Sequence, residues 1–394
     1  MYNELNDYDV TLDSYNSIKN KLSNFKNELT KVTAFLGFDG YIDSLYSLVQ
    51  NRINSKEWSR MESMKTFGEL LINISGSSGN IERVLKKKIF GGFAPNTSRA
   101  MNALGAHTYL VGSLGYPKVS ELYEKHPHEE SYSITEPGQT LGLEFDDGKI
   151  MITDFEPILG IDWQQIIEKI SIDKLITLIT KSKIMGFGHW ALIPNLNHIW
   201  KHFLSDLFPS VTNLEKKLFF VDIADIRKRK SLDIKELIEI LQTIDTQVPV
   251  YLSLNDQEAS LLSKNLKYVK EINPNKPNFN DYIEGGLHLN NEINLSYLVI
   301  HSPHFATITT KDNHYWITEG YTSRPQYTVG AGDHFHSGVA LGLSCKLTPS
   351  ESVLIGNALT AIFVRTGLSP NFNLLSKFLF KYIDYILEDN PNVP

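Results

Sequence analysis

The chain has 394 residues, of which 42% are hydrophobic and 21% are charged, which is enough apolar material for a large core. No uninterrupted apolar run approaches the roughly 18 residues of a membrane span, and the formal net charge of −7 argues against a general nucleic-acid binder. The single cysteine, Cys345, excludes an intrachain disulfide. We expect a cytoplasmic protein, because the first residues are polar and acidic where a signal peptide would be basic and then apolar.

Helical and strand-like patterns alternate along the chain. Residues 11–30 have the pattern of an amphipathic helix. Apolar segments of strand length then alternate with longer helical patterns, at residues 32–38, 108–115, 183–188, 217–223, 248–254 and 297–302. Continuous apolar strands separated by helices predict a parallel sheet that is covered on both faces. The sequence therefore indicates an α/β protein.

Three further segments have a different pattern, in which polar and apolar residues alternate. They lie near residues 40–52, 81–91 and 140–155, and Asp147-Gly148 in the last one is a good hairpin turn. These segments predict a small antiparallel layer inserted into the α/β body, which would form a lid if it lies at the edge of a site. We expect an N-terminal helical extension over residues 1–31 and one domain over residues 32–394.

A turn that opens a helix is predicted within YTVGAGDHFHSG, residues 327–338. Gly330, Ala331 and Gly332 let backbone N–H groups approach a ligand closely, and apolar residues recur afterwards at helical spacing. The first N–H groups of a helix lack intrahelical partners, so such a turn is a ready anion site. The carboxylate of Asp333 at this position is either a helix cap or a base.

A second glycine-rich turn lies within residues 90–115. Gly91 and Gly92 permit a tight backbone approach, and the helix that follows them ends at Gly105. Asn96 is either the N-cap of this helix or a polar group of a site, because its amide can both donate and accept hydrogen bonds.

Acidic and amide side chains follow two of the predicted strands. Asn255 and Glu258 have the spacing of a capping box, and an acid and an amide at this place could also hold a hydrated magnesium ion. Asp39 and Asp43 follow the first strand, where they are either solvated turn residues or acceptors for sugar-like hydroxyls.

Taken in their order along the chain, these four stretches, around Asp39, Gly91, Asn255 and Gly330, resemble the ribokinase-like (PfkB) family of carbohydrate kinases. The resemblance extends from about Val32 to the C-terminal helices. GGFAPNTSRAMNALG resembles the N-terminal signature of the family, TVGAGDHFHSGVALGL the C-terminal signature, and NDQEA the Asn-x-x-Glu motif between them. The resemblance implies a three-layer αβα sandwich with a small inserted β-sheet lid. It also implies an ATP-dependent kinase that transfers the γ-phosphoryl group to a hydroxyl of a sugar or nucleoside-like small molecule.

The resemblance assigns roles around the transferred group. Asp333 would be the general base, and Gly330, Ala331 and Gly332 would form the anion hole. These roles agree with the anion site that the glycine turn predicts, because phosphoryl transfer depends on positioning and charge neutralisation. The substrate hydroxyls would be bound by Asp39 or Asp43 together with Gly91, Gly92 and Asn96.

The resemblance also assigns the nucleotide side. Asn255 and Glu258 would position Mg²⁺ through water on the nucleotide phosphates, and Asn357 would contact the nucleotide. Tyr327 stands where many relatives carry an Asp that in some members belongs to a monovalent-cation site, so potassium activation is doubtful. The family's nucleotide-contacting Thr-x-Gly-x-x-Gly stretch is HSPHFA here, at residues 301–306.

Other readings compete with the kinase. A catalytically silent sugar- or nucleotide-binding protein on the same fold would need neither the base Asp333 nor the metal organiser Glu258. A nicotinamide-dependent dehydrogenase would need Gly-x-Gly-x-x-Gly after the first strand, which LGFDGYI lacks.

His334 and His336 do not share a helix face, so packing or surface roles are expected for them rather than metal binding. No nucleic-acid or membrane partner is expected, and relatives suggest a homodimer through the lid.

Overall fold

The computed structural model of the protein describes residues 9–125, 128–266 and 279–394. The strands are β1 (Thr33–Gly37), β2 (Tyr41–Arg52), β3 (Trp58–Arg60), β4 (Arg83–Gly91), β5 (His107–Gly112), β6 (Glu130–Ser133), β7 (Gly138–Glu144), β8 (Lys149–Asp154), β9 (Ile184–Phe187), β10 (Leu218–Asp222), β11 (Val250–Asn255), β12 (Tyr297–His301), β13 (Phe305–Thr309) and β14 (His314–Thr318).

The helices of the described residues are α1 (Thr11–Leu29), α2 (Met64–Asn73), α3 (Phe93–Ala103), α4 (Glu121–Glu124), α5 (Glu156–Leu159), α6 (Trp163–Lys169), α7 (Ile172–Lys181), α8 (Leu196–His202), α9 (Ser231–Asp245), α10 (Asp256–Asn265), α11 (Phe279–Ile293), α12 (Ala331–Ser344), α13 (Pro349–Thr366), α14 (Phe372–Phe380) and α15 (Tyr382–Leu387). None of them is both long and apolar enough to cross a membrane. The division of the chain at residue 31 stays a prediction, and residues 1–8 of the expected extension lie outside the described residues.

A large sheet forms the centre of the protein, with the strand order β14-β13-β12-β11-β10-β9-β1-β5-β6. The strands from β12 to β6 pair in parallel, as the continuous apolar segments predicted, whereas β13 and β14 are antiparallel. A parallel sheet brings the carboxyl ends of its strands to one edge, where open α/β sheets bind ligands.

Helices cover both faces of this sheet. Within β10, Phe219 and Val221 belong to one core cluster, and Leu218 and Phe220 belong to another, because successive side chains of a strand point to opposite faces. The first cluster includes residues of α6 to α11, and the second includes residues of α1, α3 and α12 to α15. The predicted three-layer sandwich is therefore confirmed.

The remaining strands form a separate small sheet in the order β3-β2-β7-β8, with β4 paired to β2. The expectation that this layer is antiparallel is wrong in one respect, because β2 and β7 run parallel. Both strands leave the body of the protein at the same point: Tyr41 pairs with Gly138, and the Gly138 N–H donates to the Gly40 carbonyl at 2.9 Å. Helix α2 packs on this sheet, where Phe67 stacks on Phe145.

Candidate active site

Asp333 lies in the first turn of α12, and only 9% of it is exposed. Gly330 occupies the N-cap position with a φ of 92°, a conformation that suits glycine. The alternative in which Asp333 is the N-cap of its own helix is therefore wrong. Instead, Asp333 Oδ2 accepts a hydrogen bond from Asn96 Nδ2 at 2.9 Å.

Asn96 comes to this position because α3 and α12 pack against each other. Helix α3 begins at Phe93, so Asn96 lies inside the helix and the N-cap is Gly92. The reading of Asn96 as an N-cap is therefore wrong, and its amide is free to contact a residue that is 237 positions away in sequence.

Asp39 satisfies the start of α3 in place of an N-cap side chain. Its carboxylate is fully buried and accepts hydrogen bonds from Phe93 N at 2.8 Å and Ala94 N at 2.9 Å. Its Oδ2 atom also lies 2.6 Å from His189 Nδ1. The carboxylate thus stabilises two orphan N–H groups of the helix and a histidine at once.

The paired glycines make room for two carboxylates. A Cβ atom on Gly91 would lie 2.4 Å from Asp43 Oδ2, and one on Gly92 would lie 3.0 Å from Asp39 Oδ2. Asp43 is buried in β2, and burial raises its pKa although a hydrogen bond with Thr140 opposes the shift. Neither aspartate is a solvated turn residue.

His189 follows β9 and has a φ of 55° in the left-handed region. Burial opposes the charged form of its imidazole, but the Asp39 carboxylate outweighs burial, and Asp222 and Asp333 add to the effect. Together these groups raise the pKa of His189 to about 10. A cation is therefore held among three acidic side chains.

Asp222, at the end of β10, forms a pair with a second histidine, and here both side chains are buried. Its Oδ2 atom lies 2.8 Å from His336 Nε2. Burial would raise the pKa of Asp222, but the contact with His336 holds it below its ordinary value. A Cβ atom on Gly332 would lie 3.4 Å from His336 Nε2, so this pair lies directly behind the turn that precedes Asp333.

The protonation of Asp333 depends on these surroundings. Burial raises its pKa, the positive charges of His189 and His336 oppose that rise, and the net result is a pKa of about 6. A carboxylate with such a pKa is ionised near neutral pH and can still accept a proton.

Asn255 and Glu258 form the capping box that their spacing predicted. Asn255 Oδ1 accepts from the Glu258 N–H at 2.9 Å, and Glu258 Oε2 accepts from the Asn255 N–H at 2.9 Å. Glu258 is also buried, and burial together with repulsion from Asp222 raises its pKa to about 9. Within the described residues, no group of three or more His, Cys, Asp or Glu side chains could hold a metal ion by itself.

A cavity of about 660 Å³ adjoins the glycine turn. It is lined mainly by residues within 255–257, 301–304, 319–323 and 360–364 and by Ala331, Gly332 and Phe335. Asn357 is not among the lining residues: it is fully buried, and its Nδ2 donates to the Ile317 carbonyl at 3.4 Å. His334 stacks on Phe363 and is buried, in agreement with the expected packing role.

Comparison with known sequences decides the family. The sequence model of the prokaryotic ketohexokinase family matches residues 10–382. The chain belongs to this family. It is 28% identical over 351 residues to the ketohexokinase of Haloferax volcanii, and the alignment covers 89% of this chain and 91% of that protein. The protein is thus a carbohydrate kinase, as the resemblance predicted.

Solved structures of ribokinase-family proteins share the fold. The ribokinase of Thermotoga maritima has a TM-score of 0.59 at 16% identity, covering 89% of this chain and 99% of that one. The ribokinase of Arabidopsis thaliana, solved with ribose and ATP, has a TM-score of 0.59 at 14% identity, covering 88% and 98%. A nucleoside kinase of Methanocaldococcus jannaschii has a TM-score of 0.55 at 15% identity, covering 89% and 98%.

Three residues around Asp333 escaped the sequence reasoning. His189 lies in GFGHW, just after the buried strand β9, and Asp222 begins DIADIR as the last residue of the buried strand β10; this position at a strand end was the signal available. His336 was assigned only packing or a surface role. Its pairing with Asp222 could not be read from the sequence, because the two residues are 114 positions apart.

Proposed function

We propose that the protein transfers the γ-phosphoryl group of ATP to a hydroxyl group of a ketohexose, with Asp333 as the general base. The observation that carries this proposal is the buried Asp333–Asn96 contact, which follows directly on a glycine turn whose residues Ala331 and Gly332 line a cavity of about 660 Å³. The ketohexose is inferred from the name of the Haloferax volcanii relative.

Asp333 would accept the proton of the attacking hydroxyl. Its pKa of about 6 supports this role, because a base works best when its pKa lies near the working pH. Asn96 would hold the carboxylate in place, since its amide donates to Oδ2 and leaves Oδ1 for the substrate.

Gly330, Ala331 and Gly332 would form the anion hole for the transferring phosphoryl group. They stand at the N-terminus of α12, where the helix dipole and backbone N–H groups without intrahelical partners stabilise negative charge. The Ala331 N–H donates to the Thr328 carbonyl at 3.2 Å, so it would have to share its hydrogen with the phosphoryl group. The Asp222–His336 pair behind Gly332 would fix the position of the turn.

The acceptor would bind on the side of Asp39, Asp43 and Asn96. Asp39 bonds to two backbone N–H groups and to His189, which favours a positioning role for it. We therefore assign the contact with acceptor hydroxyls to Asp43. Gly91 and Gly92 leave the space that the two carboxylates occupy. Three buried carboxylates, including Asp333, would repel a phosphorylated sugar, which favours an uncharged acceptor.

Glu258 is the best candidate to act on Mg²⁺, through water. Burial and, after it, repulsion from Asp222 raise the pKa of this carboxyl group, and a divalent cation would relieve the repulsion. Mg²⁺ prefers oxygen ligands and retains several waters, so two carboxylates together with nucleotide phosphates suffice. When bound, the ion would neutralise charge on the phosphates; Asn255 would orient Glu258 through the capping box.

The small sheet would act as the lid of the site. Asp43 lies in β2 of this sheet, so movement of the sheet would carry an acceptor contact towards Asp333 and exclude water. We also propose that the protein forms a homodimer through this sheet.

The nucleotide would be bound by residues that line the cavity. Asn357 would not contact it, because this residue is fully buried and does not line the cavity.

Release of ADP from ATP and Mg²⁺ across a panel of ketohexoses, aldoses and nucleosides tests this function. We expect stimulation by a ketohexose, and a loss of about 10²- to 10⁴-fold in kcat for Asp333→Asn. Acceptor binding by calorimetry should survive in the variant. Equal ligand binding without turnover in either protein would instead favour a silent binding protein.

A further inference from the structure

Glu319 is a buried acid that takes no part in the proposed phosphoryl transfer. It follows β14, is only 6% exposed and lines the cavity. Its backbone N–H donates to the His304 carbonyl at 2.8 Å, but within the described chain its Oε1 atom has no hydrogen-bond partner. Burying an unpaired polar atom is unfavourable, so its presence in a cavity wall points to a ligand.

The neighbouring cation does not pair with this acid. The charge of Arg365 acts on Glu319, yet the hydrogen bonds of its guanidinium group go to backbone carbonyls. These carbonyls belong to Gly320 at 2.9 Å, Ala361 at 2.8 Å, Tyr321 at 3.0 Å and Asn390 at 2.8 Å. Burial therefore dominates and raises the pKa of Glu319 well above its ordinary value, with Arg365 opposing.

A protonated carboxyl group offers one donor and one acceptor side by side. Adenine presents the complementary pair, because its N6 amino group donates and the adjacent ring nitrogen accepts. On the edge where adenine presents N6 and N7, guanine presents two acceptors, O6 and N7, so a guanine bound by that edge cannot satisfy the carbonyl oxygen of the acid. Its adjacent edge places O6 beside the N1–H donor, and pairing through that edge would require the base to be rotated in the cavity.

We propose that Glu319 recognises the adenine base of the phosphoryl donor through a two-point hydrogen bond at the wall of the cavity. This inference rests on the proposed function and deepens it, because it names the residue that selects the base. The cavity is continuous with the anion hole, since Ala331 and Gly332 line it together with Glu319.

Other lining residues fit a planar base. The rings of His304 and Tyr321 lie 4.6 Å apart at an interplanar angle of 36°, and both residues line the cavity. Aromatic rings of this kind stack on bases without regard to their hydrogen-bonding edges. Ala361 and Val364 of α13 add an apolar wall. Stacking thus holds any purine, and Glu319 supplies the discrimination.

The test compares ATP with GTP and with purine riboside triphosphate, which lacks the N6 amino group. In the wild-type protein we expect kcat/KM for ATP to exceed that for the other two by about 10- to 100-fold. Glu319→Leu should bring the three values within about threefold of one another through a loss on ATP. Glu319→Gln keeps one donor and one acceptor, so it should retain the preference. The KM for the sugar at saturating nucleotide should stay unchanged.

Glu351→Gln serves as the matched control, because Glu351 is an equally buried glutamate that does not line the cavity. It should leave the ratio between the nucleotides unaltered even if it lowers stability. Calorimetric dissociation constants without sugar give a second readout that needs no turnover.

Two results would overturn the inference. The first is a wild-type protein that uses ATP and purine riboside triphosphate equally well, which requires no variant at all. The second is a folded Glu319→Leu protein that keeps the wild-type ratio. Both leave the kinase proposal standing, whereas failure of every nucleotide to bind or support turnover in the wild type would refute the proposed function itself.

Discussion

Asp39 and His189 form a pair, with 2.6 Å between Oδ2 and Nδ1, at the point where the large sheet meets the start of α3; the carboxylate is buried and the imidazole is partly exposed. The same carboxylate accepts two N–H groups of that helix. One side chain therefore couples the position of α3, and with it Asn96, to the charge of a histidine beside Asp333.

Replacement of Asp39 by alanine should destabilise the protein strongly. We expect a loss of about 3–5 kcal/mol in the free energy of unfolding, because the buried N–H groups of Phe93 and Ala94 and the imidazole of His189 all lose their partner. Asp162→Ala is the control: Asp162 is the N-cap of α6 and accepts from Gln165 N, so its loss should cost only about 1 kcal/mol. Urea unfolding measures both, and equal losses would contradict the double role of Asp39.

The activity should rise with pH through the pKa of Asp333, which is about 6. The sign follows from the role of the group, since a base must be ionised to accept a proton and the ionised fraction grows as pH increases. The positive charge of His189 lowers this pKa, so His189→Asn should move the acid limb of the kcat/KM profile to higher pH. Asparagine is chosen because it tolerates the left-handed backbone of this position.

His202→Asn provides the control for that profile. His202 pairs with Asp206 at 2.8 Å and stacks on Trp163, and it does not contribute to the pKa of Asp333. Its profile should coincide with that of the wild type. An unshifted acid limb in His189→Asn would show that His189 does not tune the base.

The fold was predictable from local patterns, whereas the site was predictable only in part. Apolar strand segments and helical spacing indicated the layers of the fold. The capping box of Asn255 and Glu258 was also predictable, because the two residues are only three positions apart. The parallel pairing of β2 with β7 joins residues 97 positions apart, such as Tyr41 and Gly138, so no local pattern could indicate it. The contact of Asn96 with Asp333 depends likewise on the packing of distant helices, which is why its alternatives remained open.

Asp222 and His336 should show strong energetic coupling. Asp222→Asn and His336→Asn each break a buried pair and should each lower the free energy of unfolding by about 3–5 kcal/mol. The double variant should lose less than the sum, with an interaction energy of about 1–3 kcal/mol in a double-mutant cycle. Additive losses would mean that the 2.8 Å contact contributes nothing to stability.

Glu258→Gln should raise the concentration of Mg²⁺ needed for half-maximal rate. The glutamine keeps an oxygen that can accept from the Asn255 N–H, so the capping box and the stability should survive. The glutamine lacks the carboxylate that would hold the waters of the ion. Groups that act on a metal through its waters typically contribute about 10- to 100-fold to its affinity, so we expect the Mg²⁺ concentration for half-maximal rate to rise by about that factor. Rates measured against free Mg²⁺ at saturating nucleotide check this.

The matched control is again Glu351→Gln, since Glu351 forms the same capping box with Thr348 at the start of α13. That variant removes a buried capping-box carboxylate of the same kind but should leave the Mg²⁺ requirement at the wild-type value. Equal shifts in the two variants would assign the effect to the capping box. A shift confined to Glu258→Gln would assign it to the position of this carboxyl group beside Asp222, because only there does a second acid lie close enough to raise its pKa.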